Sequence, residues 1–390
     1  MDVLKGIKVI EVGAFITGPC AAMMLADLGA DVIKVEDPEG GDPFRSFQGS
    51  SYSPQFRAYN CSKRSVTLNL KDAAGQDLLR RLIADSDVLV ENFRPGIADT
   101  LGFGWERMKA ENPRLVYCSI TGFGATGPYA NQPCYDTVAQ AQSGYLSQFA
   151  DRDAPRIAGP AVADVMTGVH AAYGVLAALL GRATTGLGKR VEAAMLDTMI
   201  AISAEPFARY FATGTVADPW SRAHGSQSYA FTCSDGKLVA VHLSSPQKFW
   251  INLIAALGTP ELERDPRYAT RADRVENFHE LNACLQKLFS MRTRDEWITR
   301  LRSKDVPHAP IANLDEVEHN PQVMHTRILE RLHHPTEGEV RHIRRPFLMD
   351  GSRGDPSSAP PTLGEHTAQV LADLGLSQVD IERLRSESVI

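Results

Sequence analysis

The sequence predicts an α/β protein: a Rossmann-like large domain built on a parallel sheet, plus a smaller α+β domain inserted before a returning C-terminal segment. Three observations carry this expectation. Short apolar runs alternate with amphipathic helical stretches up to about residue 205. Beyond that point Ser234-Asp235-Gly236 sits between two apolar runs, and its Asp-Gly pair is a strong hairpin signal. Pro- and His-rich irregular stretches after Pro310 then lead to a terminal helix. The expected division is 1–205 for the large domain, 206–315 for the small one, and 316–390 for the linker and returning segment.

Ile7–Val12 reads as a short apolar strand, and Pro19–Leu28 as a helix with proline near its start and Gly29 at its end. Asp31–Val35 is a second strand, completing one strand–helix–strand unit. Ala73–Ala84 is helical, with Gln76, Asp77, Arg80 and Arg81 on the wet side and Leu78, Leu79, Leu82 and Ile83 facing inward. Asp87–Val90 is a strand and Trp105–Ala110 a helix. Arg114–Ile120 is a strand in which Val116, Cys118 and Ile120 alternate. Thr121–Pro133, rich in Gly, Pro and Thr, is a loop. Val165–Leu180 is a buried helix ending near Gly181-Arg182; Lys189–Glu192 is a strand, and a helix starts at Ala194. In the small domain Tyr229–Cys233 and Lys237–Leu243 form the hairpin, followed by helices at Pro246–Leu257 and Glu276–Phe289. A last helix lies near Thr367–Leu374.

Composition excludes several classes. The chain has 390 residues, 43% apolar and 23% charged, with net charge −6 and no long basic block. Nucleic acid and membrane surfaces are therefore not expected partners. Val165–Leu180 falls short of the roughly 18 apolar residues a membrane span requires. Met1-Asp2-Val3-Leu4-Lys5-Gly6 lacks the charged and apolar regions of a secretory signal. The six cysteines show no CxxC pair, which fits reduced thiols in the cytoplasm.

Several motifs fail. Glu36 ends the second strand where a ribose-binding acid would sit, but the first turn reads Gly13-Ala14-Phe15-Ile16-Thr17-Gly18-Pro19, which is not G-x-G-x-x-G. Pro19 also removes an N–H that a pyrophosphate would need. Gly186-Leu187-Gly188-Lys189 lacks both the first glycine and the Ser or Thr of a P-loop, so it reads as a helix-to-strand turn. The eleven histidines form no H-E-x-x-H, and no G-x-S-x-G occurs. His333-His334 before Pro335 reads as a solvated loop pair. No metal site is expected.

Asp164 is the most informative residue. It stands where a loop containing Gly159 and Pro160 runs into the apolar helix. As an N-cap it would accept hydrogen bonds from the first free N–H groups. As a nucleophile it would be kept ionised by the positive end of the helix, with neighbouring N–H groups available to an oxyanion. Four further segments are unusual. Tyr59–Lys71 places Lys63, Arg64 and Lys71 around a short strand, on its own a basic surface edge. Glu91-Asn92-Phe93-Arg94-Pro95-Gly96 and Ser119-Ile120-Thr121-Gly122-Phe123-Gly124 end parallel strands, where ligands bind in open α/β sheets. Tyr135-Asp136 and Gln140 lead towards Asp164.

Together these segments resemble the class III CoA-transferases, the family of formyl-CoA transferase and carnitine CoA-transferase. The resemblance is densest in Gly6–Ile10, Ala26–Glu36, Lys63–Leu68, Glu91–Gly96 and the Asp164 segment, and persists in Pro360–Thr367. It implies two chains threaded as interlocked rings in a homodimer, and Asp164 as the nucleophile that attacks an acyl-CoA thioester. It places CoA against Ile16 and Thr17; Leu68, Asn69, Leu70 and Lys71; Asn92, Phe93 and Arg94; and Tyr135 and Asp136 with the preceding Pro133 and Cys134. Lys71 and Arg94 would neutralise phosphate oxygens, and Phe93 would offer an apolar face to adenine or pantetheine. Coenzyme A enters as acyl-CoA substrate, with no tightly bound cofactor, and the second substrate is a small organic acid, with dicarboxylic acids among the candidates.

Two departures bear on the substrates. Formyl-CoA transferase carries Gln where this chain has Ile16, and its glycine run in the small domain is replaced by Ala223-His224-Gly225-Ser226-Gln227-Ser228-Tyr229. Formyl-CoA and oxalate are therefore not the expected pair; succinyl-CoA is a candidate donor. His224, Ser226 and Gln227 are candidate acceptor contacts. Two other functions fit the family outline: an acyl-CoA racemase or epimerase, and a non-catalytic acyl-CoA-binding homologue. The related racemases use His-Asp where this chain has Tyr135-Asp136, and a neutral Tyr is a poor base at neutral pH.

Overall fold

The computed structural model of the chain describes residues 3–49, 52–354 and 357–390; Met1 and Asp2 of the N-terminal segment read above lie outside them. The chain forms two compact units. One comprises Met1–Leu146, Ile157–Ala204 and Thr326–Ile390; the other comprises Ser147–Arg156 and Glu205–His325.

In the larger unit six strands form one sheet: β1 (Lys8–Val12), β2 (Asp31–Glu36), β3 (Lys63–Thr67), β4 (Val88–Glu91), β5 (Val116–Thr121) and β6 (Arg190–Ala194). Their order is β3-β2-β1-β4-β5-β6 and every pairing is parallel. The strand order reverses between β1 and β4. Loops leaving those two strands diverge to opposite faces and open a crevice where such sheets bind ligands. The mixed α/β fold expected from the sequence is thus present.

Both faces of the sheet are covered. Val9, Val32, Val88 and Val116 pack with Leu25 and Val175 on one side. Ile10, Ile33, Leu89 and Tyr117 pack with Leu79, Ile83 and Leu371 on the other. For β5 this corrects the simple alternation: Val116 through Ile120 are all buried, as expected when helices flank both faces. The Ala73–Ala84 helix has its expected bounds and buries Leu78, Leu79, Leu82 and Ile83. The first helix runs Thr17–Ala26, earlier than expected, because proline is tolerated in a first turn that has no use for its N–H.

The helix bearing Asp164 spans Val162–Thr185, well beyond the expected Val165–Leu180. Arg182 does not stop it, because the guanidinium is buried against Asp87 (2.9 Å) and the Arg114 carbonyl (3.0 Å). The helix ends at Gly186, whose φ of 74° is left-handed. By length and mean hydropathy, 1.4 over its most apolar stretch, it is apolar enough to cross a membrane. Its inner side packs on the Thr17–Ala26 helix at Gly168, where a Cβ would meet Cys20 Cβ at 2.8 Å and the Thr17 carbonyl at 3.0 Å.

After residue 326 the irregular segment expected from the sequence is instead an antiparallel hairpin, β10 (Leu329–His334) with β11 (Gly338–Ile343). His333 and His334 belong to β10, so the solvated-loop reading is corrected for His334: it is buried, its ring 4.2 Å from that of Tyr52. The chain then follows the free edge of β3, where His366 N–H donates to Ser65 O (2.9 Å) and Thr67 N–H to Thr367 Oγ1 (3.0 Å). Covering an edge in this way blocks stray strand pairing. Thr367–Asp373 is not the last helix; Gln378–Ser386 follows and adds Ile381 and Leu384 to the core.

The smaller unit holds the expected hairpin, β7 (Ser228–Thr232) with β8 (Leu238–His242), and a third strand, β9 (His308–Pro310), on β8. Helices Gln247–Leu257, Phe278–Phe289 and Arg294–Ser303 close its core around Trp250, Phe278, Phe289 and Trp297. The last of these helices was not anticipated, although Thr293 and Glu296 form a capping box at its start.

Candidate active site

Two clefts open at the carboxyl ends of β1 and β4 and share Phe15, Asn92, Phe93 and Arg94. The first, about 220 Å³, contains Asp164 with Ile16, Thr17 and Tyr135 on its walls. The second, about 580 Å³, is lined by Leu68, Leu70 and Lys71. Residues that the sequence connects only through distant segments therefore meet at the crevice. Asn69 and Asp136 line neither cleft. Asn69 lies behind the wall, its backbone N–H bonded to Val389 O at 2.8 Å and its Oδ1 accepting from Lys71 N–H at 3.1 Å.

Asp164 is the third residue of its helix and not the cap. Asp136 supplies the cap from the start of the Asp136–Gln142 helix: its Oδ1 accepts from Ala163 N–H (2.8 Å) and Asp164 N–H (3.3 Å), while Oδ2 accepts from Gln140 Nε2 (2.6 Å). The other first-turn donors are also taken, Val162 N–H by Pro160 O and Val165 N–H by Ala161 O. The expectation that these N–H groups are free for an oxyanion is corrected. So is the expectation that the positive end of the helix keeps Asp164 ionised. Burial, with the Asp136 charge adding to it, pushes its pKa up to about 7.

Two neutral thiols lie near this carboxylate. Burial raises the Cys20 and Cys134 thiols to about 11, with the Asp164 charge contributing. They are unreactive thiols at neutral pH. A half-desolvated carboxylate with a pKa near 7 is a better nucleophile than one in water, and its ionised fraction changes over the neutral range.

The walls are held from behind. Asn92 Oδ1 accepts from Ala14 N–H (3.0 Å), while Nδ2 donates to Ala14 O (2.8 Å) and Thr17 Oγ1 (2.9 Å). Its amide therefore fastens the β1 loop. Glu91, buried at the end of β4, accepts from Phe93 N–H (2.8 Å), and burial raises its pKa to about 7. Arg94 is exposed, and Lys71, 82% exposed, stands 3.9 Å from Asp37. Both cations are free to turn towards a ligand.

Beneath the loop lies a charge network that the sequence reading missed. Lys34 pairs with Glu11 (2.7 Å) and Asp42 (2.9 Å), and Lys63 pairs with Glu11 (2.7 Å); all four side chains are fully buried. Lys63 is therefore not part of a basic surface. The available signal was charge inside apolar strands, as in Val9-Ile10-Glu11-Val12 and Val32-Ile33-Lys34-Val35.

The three candidate acceptor residues belong to the smaller unit. His224 packs its ring against Phe278 at 4.4 Å, and Ser226 Oγ bonds Ser228 Oγ at 2.7 Å. Gln227 is 1% exposed, and its amide is committed to Ser244 O (3.0 Å) and Arg274 Nε (2.7 Å).

This fold and site define an α/β protein with paired clefts at the carboxyl ends of its parallel strands, and comparison with known proteins gives the family. CoA-transferase family III matches residues 4–367, and the chain belongs to that family. It is 34% identical to the succinyl-CoA:glutarate CoA-transferase of Mus musculus, over 100% of this chain and 91% of the other. It is likewise 34% identical to the formyl-CoA:oxalate CoA-transferase of Streptomyces coelicolor, over 99% of both chains. Among solved structures, a CAIB/BAIF family protein from Brucella suis superposes with a TM-score of 0.85 at 35% identity, covering 95% of this chain and 99% of that one. The protein is a class III CoA-transferase.

Proposed function

We propose that this enzyme moves CoA from an acyl-CoA donor to a small dicarboxylic acid through covalent intermediates on Asp164. An Asp164 oxygen attacks the thioester carbonyl, the C–S bond breaks, and CoA leaves as thiolate from a mixed anhydride. The thiolate attacks the aspartyl carbonyl, releasing the donor acid and leaving an aspartyl–CoA thioester. The acceptor carboxylate then displaces CoA to form a second anhydride, which the thiolate opens at the acceptor carbonyl, restoring Asp164. Each intermediate keeps an activated acyl bond, so no ATP is consumed.

The observation that carries this reading is the position of Asp164, half-buried in a cleft that shares a wall with a larger one. CoA would lie with its phosphates towards Lys71 and Arg94 and its thioester by Ile16 and Thr17. The Thr17–Ala26 helix starts there without a side-chain cap, so its positive end favours developing negative charge. Asp136 acts as the cap that fixes Asp164, and Asn92 as the fastener of the Thr17 end. The relatives named for succinyl-CoA and glutarate and for formyl-CoA and oxalate, with Ile16 in place of Gln, favour succinyl-CoA as donor.

The larger unit is the CoA-binding domain, and His224 and Ser226 are the foremost candidates for contact with the acceptor acid. Two chains interlock as a homodimer in the cytoplasm; exposed Tyr173 (71%) and Leu180 (76%) on the Val162–Thr185 helix are apolar surface that a second chain would cover. The test is to incubate wild type and Asp164→Ala with a panel of acyl-CoAs, add hydroxylamine, and map the modified peptide by mass. A donor-dependent hydroxamate on Asp164, absent from the variant, is expected. CoA binding without modification under every donor would overturn the nucleophile.

A further inference from the structure

The loop after β1 contributes Gly13 and Ala14 to the larger cleft, Ile16 and Thr17 to the smaller and Phe15 to both, and it contains an anomaly. Phe15 has φ 64°, a left-handed conformation that costs a side-chain-bearing residue about 1–2 kcal/mol. Such conformations persist only where the surroundings over-determine them, and they concentrate at functional sites. The over-determination is visible. Lys34 Nζ donates to Gly13 O at 2.8 Å, Asn92 binds both polar groups of the Ala14 backbone, and Asp42 Oδ1 accepts from Phe15 N–H at 3.2 Å.

Asp42 is the hub on the side away from Asn92. The same oxygen accepts from Phe44 N–H (2.9 Å), the other faces Lys34, and its own N–H donates to Glu36 Oε2 (3.0 Å). Glu36 is in turn forked by Arg45, through Nε at 2.7 Å and Nη2 at 2.8 Å. Lys34, Lys63 and Arg45 balance Glu11, Asp42 and Glu36, so the cluster is neutral as a whole. Burying six charges is poor value as stabilisation, since apolar side chains of similar volume commonly do as well or better. What they add here is directional. They fasten the segment after β2 to the loop after β1 and hold the Phe15 ring edge-on to Phe44 (5.3 Å) and Tyr135 (6.1 Å), next to Asp136.

We propose that Asp42 is a positioning residue for acyl-CoA, holding Phe15 in its left-handed conformation so that the wall between the clefts is formed before the ligand arrives. This rests on the reading of the clefts as the CoA site. Without the Asp42 acceptor the loop relaxes, and acyl-CoA must select the fraction of molecules in which the wall is intact. Apparent affinity falls by that fraction, while the bound complex reacts as before.

The experiment compares Asp42→Ala, Asp42→Asn and Leu285→Ala, a destabilised control in the core of the smaller unit, which holds no residue lining either cleft, for melting temperature, CoA affinity by calorimetry, and kcat and KM. Asp42→Ala should raise KM for acyl-CoA about tenfold with kcat within about twofold, as a competent fraction near one tenth requires. Asp42→Asn, which keeps an acceptor for both N–H groups, should return KM to within about threefold of wild type. Leu285→Ala should lower the melting temperature and leave KM for acyl-CoA unchanged. An unchanged KM in Asp42→Ala, or an equal rise in the core control, overturns the proposal while leaving the nucleophile reading intact. Failure of wild type to bind CoA overturns both. If Asp42→Ala does not fold, amide exchange on wild type decides. Phe15 should already exchange slowly in the free enzyme; fast exchange that slows only on adding CoA contradicts a wall formed in advance.

Discussion

At the residue scale, Asp164 is a carboxylate placed where its ionised form is disfavoured. The folded state raises its pKa from 3.8 to about 7, so it binds that proton more tightly than the unfolded chain does. Stability is therefore lost as pH rises between those two values, and the loss is complete above about 7. Asp164→Asn should equal wild type in stability near pH 3 and exceed it by on the order of 4 kcal/mol at pH 8; denaturant titrations at the two pH values check this. The same ionisation should govern catalysis, with the acylation rate rising with pH and levelling above about 7. A rate already level at pH 5 would contradict the raised pKa. The sequence marked Asp164 itself, because its neighbours follow a known pattern. It did not disclose that Asp136 takes the capping role, since that hydrogen bond spans residues remote in sequence and depends on where the Asp136–Gln142 helix starts.

At the scale of elements, the Thr17–Ala26 and Val162–Thr185 helices must approach closely for Thr17 and Asp164 to share a cleft. Gly168 permits that approach. Gly168→Ala would drive a Cβ into Cys20 and the Thr17 carbonyl, and should cost about 1–3 kcal/mol as an overpacked core. Because Thr17 lines the cleft, kcat should also fall, whereas a substitution at Val379, 78% exposed, should not affect it; melting curves and steady-state kinetics on both variants measure this. The parallel sheet and the Ala73–Ala84 helix were legible because apolar periodicity is local. The β10–β11 hairpin was not, because its inward positions alternate Leu332 and His334 against Val340 and His342, and buried histidines disguise the pattern. The buried lysines hid for the same reason: a charge reads as surface until its partners on neighbouring strands are known.

At the scale of the molecule, the order reversal between β1 and β4 sets the site before any particular side chain does. Residues at the ends of β2, β3 and β5 complete the lining; the strand–helix alternation implied a parallel sheet with ligands at its carboxyl ends, but not the strand order. Acceptor specificity is less legible, because no motif in the chain marks which side chains meet the acceptor acid, and the proposed candidates His224 and Ser226 lie in the smaller unit. Light scattering should give twice the chain mass, and a fully active monomer would contradict the interlocked assembly. The central claim is that CoA passes through an anhydride on Asp164, and acceptor acid labelled with heavy oxygen in its carboxylates tests it most directly. Each turnover should leave one acceptor oxygen on Asp164, so the peptide containing it gains the mass of heavy oxygen and later passes that label to the released donor acid. Label reaching the released acid while the Asp164 peptide stays unlabelled would mean direct exchange between substrates, and would contradict the covalent account.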